Sequence, residues 1–566
     1  MRKKMLLGKK RCVALTLALV LAMGLTGCGA KEETKSGSKS DENFVYEYPA
    51  QQENGIKYDE TEAAVMDDVS APTYDVAADC CEEYYEEEYY DGYVEDYNTN
   101  EFEAITENSW CSVATTPFST FAADVDTASY STLRNDIMNG YEVYASAIRI
   151  EEMINYFHYD YEEPKGNEKF GVYTEYADCP WNEDTQLALV SLITEDIDFS
   201  EAPDSNLVFL IDTSGSMYDE NKLPLVQQSL TMLVENLGEN DRISIVTYAG
   251  SDTVVLEGVS GDNYYEITSA IDSLEAGGST NGAAGIETAY EIAEKYYIED
   301  GNNRVILATD GDLNVGITSE SQLEELIVEK KETGVYLSVL GFGYGNYKDT
   351  KLETLADNGN GNYAYIDSIF EAKKALVDDM GANLITVAKD VKLQVEFNPA
   401  LVKGYRLIGY ENRAMATEDF SDDTKDGGEM GAGHCVTAIY EIVPIDSDME
   451  ITTTESKYNN TDSTYEEGKY NDELFTVSIR YKEPDEDESK LSSYVCTTDD
   501  YNKKGSDNLR WAASVAAFGM YLKDSEYMGD TDIDLILELA TSVEDYKEDD
   551  YKAEFIDMVE MYDDVR

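Results

Sequence analysis

Between Ser205 and Leu384 the chain alternates short apolar runs with longer stretches whose apolar positions recur every three or four residues. Ser205–Ile211 and Arg304–Ala308 are runs of the kind that forms strands buried on both faces, and Val335–Leu340 reads as a further strand. Arg242–Tyr248 alternates like a strand, Thr253–Leu256 adds a short neighbour, and Tyr363–Ile366 reads as a last strand. The intervening stretches predict helices. They are Lys222–Leu237 (with Leu225, Leu230, Leu233 and Val234 inward), Tyr264–Leu274, Ala283–Tyr297, Ser319–Glu332, Lys351–Ala356 and Ile369–Leu384, with Gly334 closing the fourth. Such alternation predicts an α/β fold, a mostly parallel sheet with helices on both faces, whose ligands sit beyond the carboxyl ends of the strands.

On both sides of this segment the period changes. Before it, Asp126 or Thr127 can cap a helix running to Asn139, a second helix fits Ala147–Phe157, and Phe170–Thr174 and Gln186–Ile193 alternate like strands. After it, Val391–Phe397, Tyr405–Tyr410, Val436–Ile442 and Phe475–Tyr481 read as half-buried antiparallel strands. Neither set makes a comfortable sheet alone, because an isolated strand pair is marginal. One β-rich module built from both flanks, with the α/β segment inserted into it, is therefore expected. From Asn508 onward, 508–522, Asp532–Val543 and Tyr551–Val565 carry helical periodicity.

The expected carboxyl ends of the central strands carry oxygen donors. The first strand runs into Asp212-Thr-Ser214-Gly-Ser216. The loop Gly277–Gly282 contains Thr280, and another strand ends at Thr309-Asp310-Gly311. Two carboxylates and three hydroxyls are hard donors, the set that Mg²⁺, Mn²⁺ or Ca²⁺ prefers. Gly215 allows the tight turn that would bring Ser214 and Ser216 to one ion. In this alternating context the pattern resembles the von Willebrand factor type A (VWA) domain, over about 206–383, and its metal-ion-dependent adhesion site (MIDAS). The resemblance implies a Rossmann-like fold. It also implies that Ser214, Ser216 and Thr280 bind the metal directly or through water, that Asp212 and Asp310 act mainly through water, and that a protein ligand supplies an Asp or Glu carboxylate.

Other apparent motifs are weaker. Gly341–Gly345 lacks the spacing of a dinucleotide loop and reads as a loop at the ligand end of the sheet. Asp422–Glu429 departs from the EF-hand spacing and reads as a polar turn. His434 has no nucleophile partner in the sequence and reads as a structural histidine.

Charge changes the picture at the N-terminus and on the surface. The chain has 566 residues, 42 Lys+Arg against 117 Asp+Glu, a net charge of −75, and two histidines, His158 and His434. So negative a surface repels phosphate backbones, which excludes nucleic acid as a partner, and two histidines leave little room for zinc or Ser-His-Asp hydrolysis. Residues 1–11 hold six basic residues and no acid, and an apolar run from Cys12 to Gly27 follows. That is the form of a signal peptide. Leu25-Thr26-Gly27-Cys28 resembles the bacterial lipobox, which implies lipidation of Cys28 and a membrane-anchored, extracytoplasmic protein. Residues 28–109 lack periodicity. Between Lys57 and Arg134 there is no basic residue, and 81–98 interleaves acids with tyrosines. This stretch is expected to be a disordered tether, spanning on the order of 50 Å. Of the remaining cysteines, Cys80, Cys81, Cys111, Cys179, Cys435 and Cys496, pairing and free thiols stand equally open.

The expected organisation is a signal peptide over 1–27, a tether over 28–109, and an N-terminal flank over 110–204. The VWA domain covers 205–384, and a β-rich then helical region covers 385–566. Pro117–Tyr130, Gly431–His434 and Arg510–Gly519 resemble the flanks of a family of exported bacterial VWA lipoproteins. The function implied is a non-enzymatic, metal-dependent protein-binding or scaffold module. A metal-assisted hydrolase and a structural lipoprotein with a loop-stabilising metal are the alternatives.

Overall fold

The computed structural model describes residues 106–123, 126–166, 168–197, 202–278, 283–311, 320–343, 349–425, 427–451, 470–484, 486, 488–544 and 546–565. The leader, residues 28–105 of the tether, Cys28, Cys80 and Cys81 lie outside the described residues; the end of the expected tether is described, and Asn108 there donates to the carbonyls of Leu407 and Gly409 at 3.3 and 2.8 Å.

The central segment forms a six-stranded sheet in the order β10-β9-β8-β5-β6-β7. Its strands are β5 (Ser205–Asp212), β6 (Arg242–Tyr248), β7 (Asp252–Ser260), β8 (Asn302–Thr309), β9 (Tyr336–Phe342) and β10 (Tyr363–Ile366). All neighbours are parallel except β6 and β7, which pair antiparallel. The alternation along β5 shows why helices cover both faces. Leu207, Phe209 and Ile211 pack with Leu225, Val226 and Leu230 of helix Leu223–Val234, whereas Val208 and Leu210 pack with Ile286, Ala289 and Tyr290 of helix Ala283–Lys295.

The flanks form two further sheets that interleave segments from before and after the α/β domain. One, in the order β1-β12-β14-β4-β3, contains β1 (Cys111–Ser112), β3 (Phe170–Asp178), β4 (Gln186–Thr194), β12 (Val402–Ile408) and β14 (Cys435–Pro444). Its central joint pairs β4 with β14, from Gln186 opposite Ile442 to Ile193 opposite Cys435. The other contains β2 (Phe118–Ala122), β11 (Thr386–Phe397), β13 (Gly428–Gly431), β15 (Glu473–Lys482) and β16 (Lys490–Thr497), with β2 paired to β11. The expected shared β-module is thus present. β4 is apolar on both faces: Ala188, Val190 and Leu192 meet Val395, Val477 and Ile479 of the second sheet. Leu187 and Leu189 meet a helical layer holding Trp511, Phe518 and Phe555. That layer is built from helices Ala128–Met138, Ile150–Asn155, Asp507–Leu522, Ile533–Thr541 and Asp550–Val565. Gly519 leaves room for Ile150 in this layer, since a Cβ there would lie 2.9 Å from Cγ1 of Ile150.

Three local expectations change. The single helix over 369–384 is helix Ile369–Lys373, a π-helical turn over Lys374–Asp378, and helix Met380–Leu384. The Asp379 amide reaches back to the Lys374 carbonyl at 2.8 Å, and the wider turn lets the Lys374 ammonium sit 4.9 Å from the Tyr156 ring and 5.1 Å from that of Tyr551. Neither Thr127 nor Asp126 caps the first helix. Asp126 Oδ1 instead accepts from the Tyr363 amide at 3.1 Å, and its Oδ2 from Arg413 at 3.1 Å. The strands β1, β2, β13 and β16 were not signalled, being short, or edge-placed with a polar outward face.

Buried charge joins the α/β domain to the flanks. Arg134, 3% exposed, uses all five of its N–H donors. Nε binds Asp367 at 3.0 Å, one terminal nitrogen binds Tyr156 and Glu554 at 2.8 and 3.0 Å, and the other binds Glu371 at 2.8 Å and Asp367. A second cluster centres on Glu353, which receives Arg149 at 2.8 Å and Arg413 at 2.6 Å, while Arg413 also binds Asp357 at 3.0 Å.

Cys111, Cys179, Cys435 and Cys496 are free thiols. Burial pushes Cys179 and Cys496 up to about 12 and Cys435 up to about 11, so they act as small core residues rather than nucleophiles. Peptide mapping after alkylation at pH 8 should find Cys179 and Cys496 unmodified until the protein is unfolded.

Replacing Arg134 with Met should cost about 3–5 kcal/mol, because Asp367, Glu371 and Glu554 lose a shared cation in a buried setting. Orphaned buried carboxylates favour their protonated form, so the deficit should shrink as pH falls from 8 to 5. Parallel denaturant titrations at the two pH values measure both effects.

Candidate metal site at the carboxyl edge of the parallel sheet

β5 ends at Asp212, whose carboxyl group is fully buried beneath the loop that follows. Its Oδ1 accepts from the Ser214 amide at 2.8 Å, and its Oδ2 lies 3.4 Å from the Thr309 hydroxyl at the end of β8. Burial, with the nearby Asp310 charge as a smaller contributor, raises the Asp212 carboxyl to about 6, against the hydrogen bonds from Ser214. Tyr248 at the end of β6 is buried as well, and desolvation followed by the Asp212 charge holds its phenol well above the usual range.

Beyond Asp212 the backbone turns through a 3₁₀ segment, Gly215–Tyr218, which buries Met217 and exposes Ser216 and Tyr218. The turn places the hydroxyls of Ser214 and Ser216 2.9 Å apart. Backbone bonds tie this loop to its neighbours: Gly277 N–H to Thr213 O at 2.8 Å, Gly215 N–H to Gly278 O at 3.2 Å, and Thr213 N–H to Tyr248 O at 3.0 Å. Asp310, immediately after β8, is 3% exposed.

Four of the five donors expected from the sequence, Asp212, Ser214, Ser216 and Asp310, are thus at the carboxyl edge of adjacent strands β5 and β8. Thr280 lies outside the described residues. Among the described residues no three His, Cys, Asp or Glu side chains converge as metal ligands, so a metal here would rely on hydroxyl donors.

Sequence reading missed one member. Lys222 looks like the solvent-facing start of a helix, yet it is buried, and its Nζ lies 3.0 Å from Asp310 Oδ2. A lysine one position before an apolar helix carries no pattern that distinguishes this path from an exposed one.

The other motifs fall outside the site. Asp422 Oδ1 accepts from the Thr424 amide at 2.9 Å, which makes 422–425 a polar turn. His434 belongs to the turn before β14, where its carbonyl accepts from the Thr194 amide at 3.0 Å. His158 and His434 both line a small cavity beside the π-helical turn, away from the Asp212 loop.

Comparison with known proteins agrees with this architecture. The family described as von Willebrand factor type A domain matches residues 206–379, one described as von Willebrand factor matches 96–189, and one described as uncharacterized protein YfbK, C-terminal, matches 382–565. YfbK of Escherichia coli (strain K12) is 41% identical over 474 residues, covering 82% of each chain. Inter-alpha-trypsin inhibitor heavy chain H4 of Sus scrofa is 27% identical over 230 residues, 38% of this chain and 22% of that protein. The solved von Willebrand factor type A structure from Catenulispora acidiphila aligns with a TM-score of 0.39 at 15% identity, over 71% of this chain and 91% of that one. With identity to YfbK running across the α/β domain and both flanks, the chain belongs to the YfbK family of VWA-domain proteins.

Proposed function

We propose that this protein is a metal-dependent protein-binding module of the MIDAS type, held on the outer face of a membrane by a lipid on Cys28. Ser214, Ser216 and Thr280 would hold Mg²⁺, or Mn²⁺ or Ca²⁺, with Asp212 and Asp310 acting through water. An Asp or Glu carboxylate of a protein partner would complete the coordination.

The observation that carries this reading is the gathering of Asp212, Ser214, Ser216 and Asp310 at one edge of the sheet, where the two serine hydroxyls, hydrogen-bonded at 2.9 Å, also stand at the spacing of neighbouring metal ligands. Adjacent ligands of an octahedral Mg²⁺, with bonds near 2.1 Å, stand about 2.9–3.0 Å apart. The Ser214 amide holds the buried Asp212 carboxylate, Ser214 is itself buried, and Ser216 is the exposed member of the pair. Neutral donors leave a bound cation electrophilic, and its natural external ligand is a hard anion. Ser216 and Tyr218 are exposed at this mouth, Tyr218 by 79%, and an exposed aromatic beside a charged contact is a common anchor in protein interfaces. The named relatives that share the VWA match are in keeping with an interaction role. A hydrolase would require a base beside the ion, whereas both histidines line a different cavity.

Millimolar Mg²⁺ or Mn²⁺ should raise the melting temperature by several degrees, as expected when a ligand saturates the native state alone. Asp212→Ala and Thr280→Ala should abolish that rise. Capture of an envelope partner by the purified protein should be lost in chelator and in both variants, with the fold retained. If Asp212→Ala captures its partner as well as the parent does in chelator-free buffer, the adhesion-site reading is wrong. A metal-dependent rise in melting temperature with no chelator-sensitive partner would favour the purely structural role.

Lipid attachment has its own test. Cys28→Ser should move the protein from the membrane fraction to the soluble fraction or leave it unprocessed. Membrane retention with normal processing would remove the anchor from this account.

A further inference from the structure

The most unusual charge at the candidate site is a cation that belongs to the protein. Lysine side chains normally keep their ammonium in water, because desolvating it is costly. Lys222 does not: it is 8% exposed, although it stands at the very start of helix Leu223–Val234. Its amide is tied to the Asp219 carbonyl at 3.0 Å and its carbonyl accepts from Val226 at 2.9 Å. The side chain therefore leaves a fixed backbone position and runs inward.

The end of β9 shapes the path it takes. Gly343, at φ +81°, follows Phe342 directly, and the lysine stem lies across it. A Cβ on Gly343 would stand 2.4 Å from Cε of Lys222, 2.8 Å from Cγ and 3.0 Å from Cδ. The absence of a side chain at Gly343 is thus what admits the lysine, and the channel delivers Nζ to within 3.0 Å of Asp310 Oδ2. Two separate elements, a helix start and a strand end, build one position for one ammonium.

We infer that Lys222 is a resident counter-cation of the candidate metal site, seated on Asp310 so that a divalent ion binds against it and is held less tightly than the oxygen donors alone would hold it. The inference rests on the metal-site reading proposed above and deepens it. Asp212 and Asp310 bring two carboxylates to a buried edge. A fixed ammonium offsets one of those charges in the metal-free protein, where two buried carboxylates repel each other. The same positive charge opposes an incoming divalent cation. It thereby keeps the ion exchangeable and receptive to an outside carboxylate, instead of saturated by the protein's own negative charge.

The test is Mn²⁺ binding, followed by the paramagnetic resonance signal of free Mn²⁺ and by calorimetry with Mg²⁺ in competition, on the full exported chain. Lys222→Met removes the charge at similar length and should tighten Mn²⁺ binding on the order of tenfold or more. It should also lower the melting temperature in chelator, with added Mg²⁺ restoring it. Lys222→Arg keeps the charge and should bind as the parent does. Gly343→Ala leaves the lysine in the sequence but pushes its stem off the channel, and should shift affinity in the direction of Lys222→Met. It serves as the second route if the Met variant does not fold. Parent-like or weaker Mn²⁺ binding by a folded Lys222→Met or Gly343→Ala, with the parent itself binding, overturns the role of Lys222 and leaves the metal site standing. No Mn²⁺ or Mg²⁺ binding by the parent overturns both.

Discussion

A buried guanidinium with every donor used is the interaction on which the arrangement of this protein turns. Arg134 stands on an N-terminal helix, yet its carboxylate partners come from just past β10 (Asp367), helix Ile369–Lys373 of the VWA domain (Glu371) and the C-terminal helix (Glu554). A charge this buried is tolerated only while all of those partners are in place, because removing any of them leaves an uncompensated ion in a low-dielectric setting. The Glu353 cluster repeats the device at a second point, with Arg149 and Arg413 arriving from opposite flanks. Buried ion pairs are poor sources of net stability but demanding about geometry. The VWA domain is therefore fixed to its flanks at two defined places rather than tethered beside them.

The clamps grip one side of the parallel sheet. Asp126 caps the Tyr363 amide at the start of β10, and Arg134 binds Asp367 just past its end. β10 is an edge strand, and edges left open recruit other strands. The candidate site lies two and three positions inward, on β8 and β5, and stays clear of the clamp. The last VWA helix does not. Glu371 and Lys374 belong to it or to the π-helical turn that continues it, and they bind Arg134 and Asp379. Any displacement of that helix must either break the Arg134–Glu371 bond or carry the flanking helices along. In that sense the flanking module is mechanically in series with the VWA domain.

Much of this was legible in the chain, and the illegible part has a common cause. Local patterns carried the parallel strands and the loops bearing Asp212 and Asp310, because each is encoded within about ten consecutive residues. The shared β-module was legible through an argument about insufficiency, since Gln186–Ile193 and Val436–Ile442 each lacked a sheet. What escaped depends on partners far away in sequence. Arg134 is separated from Asp367 by 233 positions and from Glu554 by 420, and nothing near Arg134 marks it as buried. Lys222 escaped for the same reason, its path being set by Asp310 and Gly343. The π-helical turn escaped because 369–384 keeps helical periodicity through the inserted residue, and it is disclosed by the backbone bond from the Asp379 amide to the Lys374 carbonyl.

Composition and structure together give a charge distribution that neither gives alone. Only 42 of the 566 residues are basic. Several of these are withdrawn from the surface: Arg134, Arg149, Arg304, Arg406, Lys222, Lys374 and Lys392 are all buried. Arg406, for instance, lies against Glu441 at 3.1 Å and over the Tyr527 ring at 4.3 Å. Buried acids more than match these buried cations, among them Asp126, Glu152, Asp310, Glu353, Glu371 and Glu441, so burial pairs opposite charges and leaves an exterior that is still strongly acidic. An acidic partner approaching such a surface meets net repulsion, and salt weakens that repulsion beyond roughly 8–10 Å. The two effects act at different distances: screening governs the encounter, while coordination at the Asp212 loop would govern the contact itself. Under the proposed reading, a surface that rejects carboxylates at long range and accepts one at a single point would gain selectivity from the rejection as much as from the site, because a carboxylate that missed the metal would find little else to hold it.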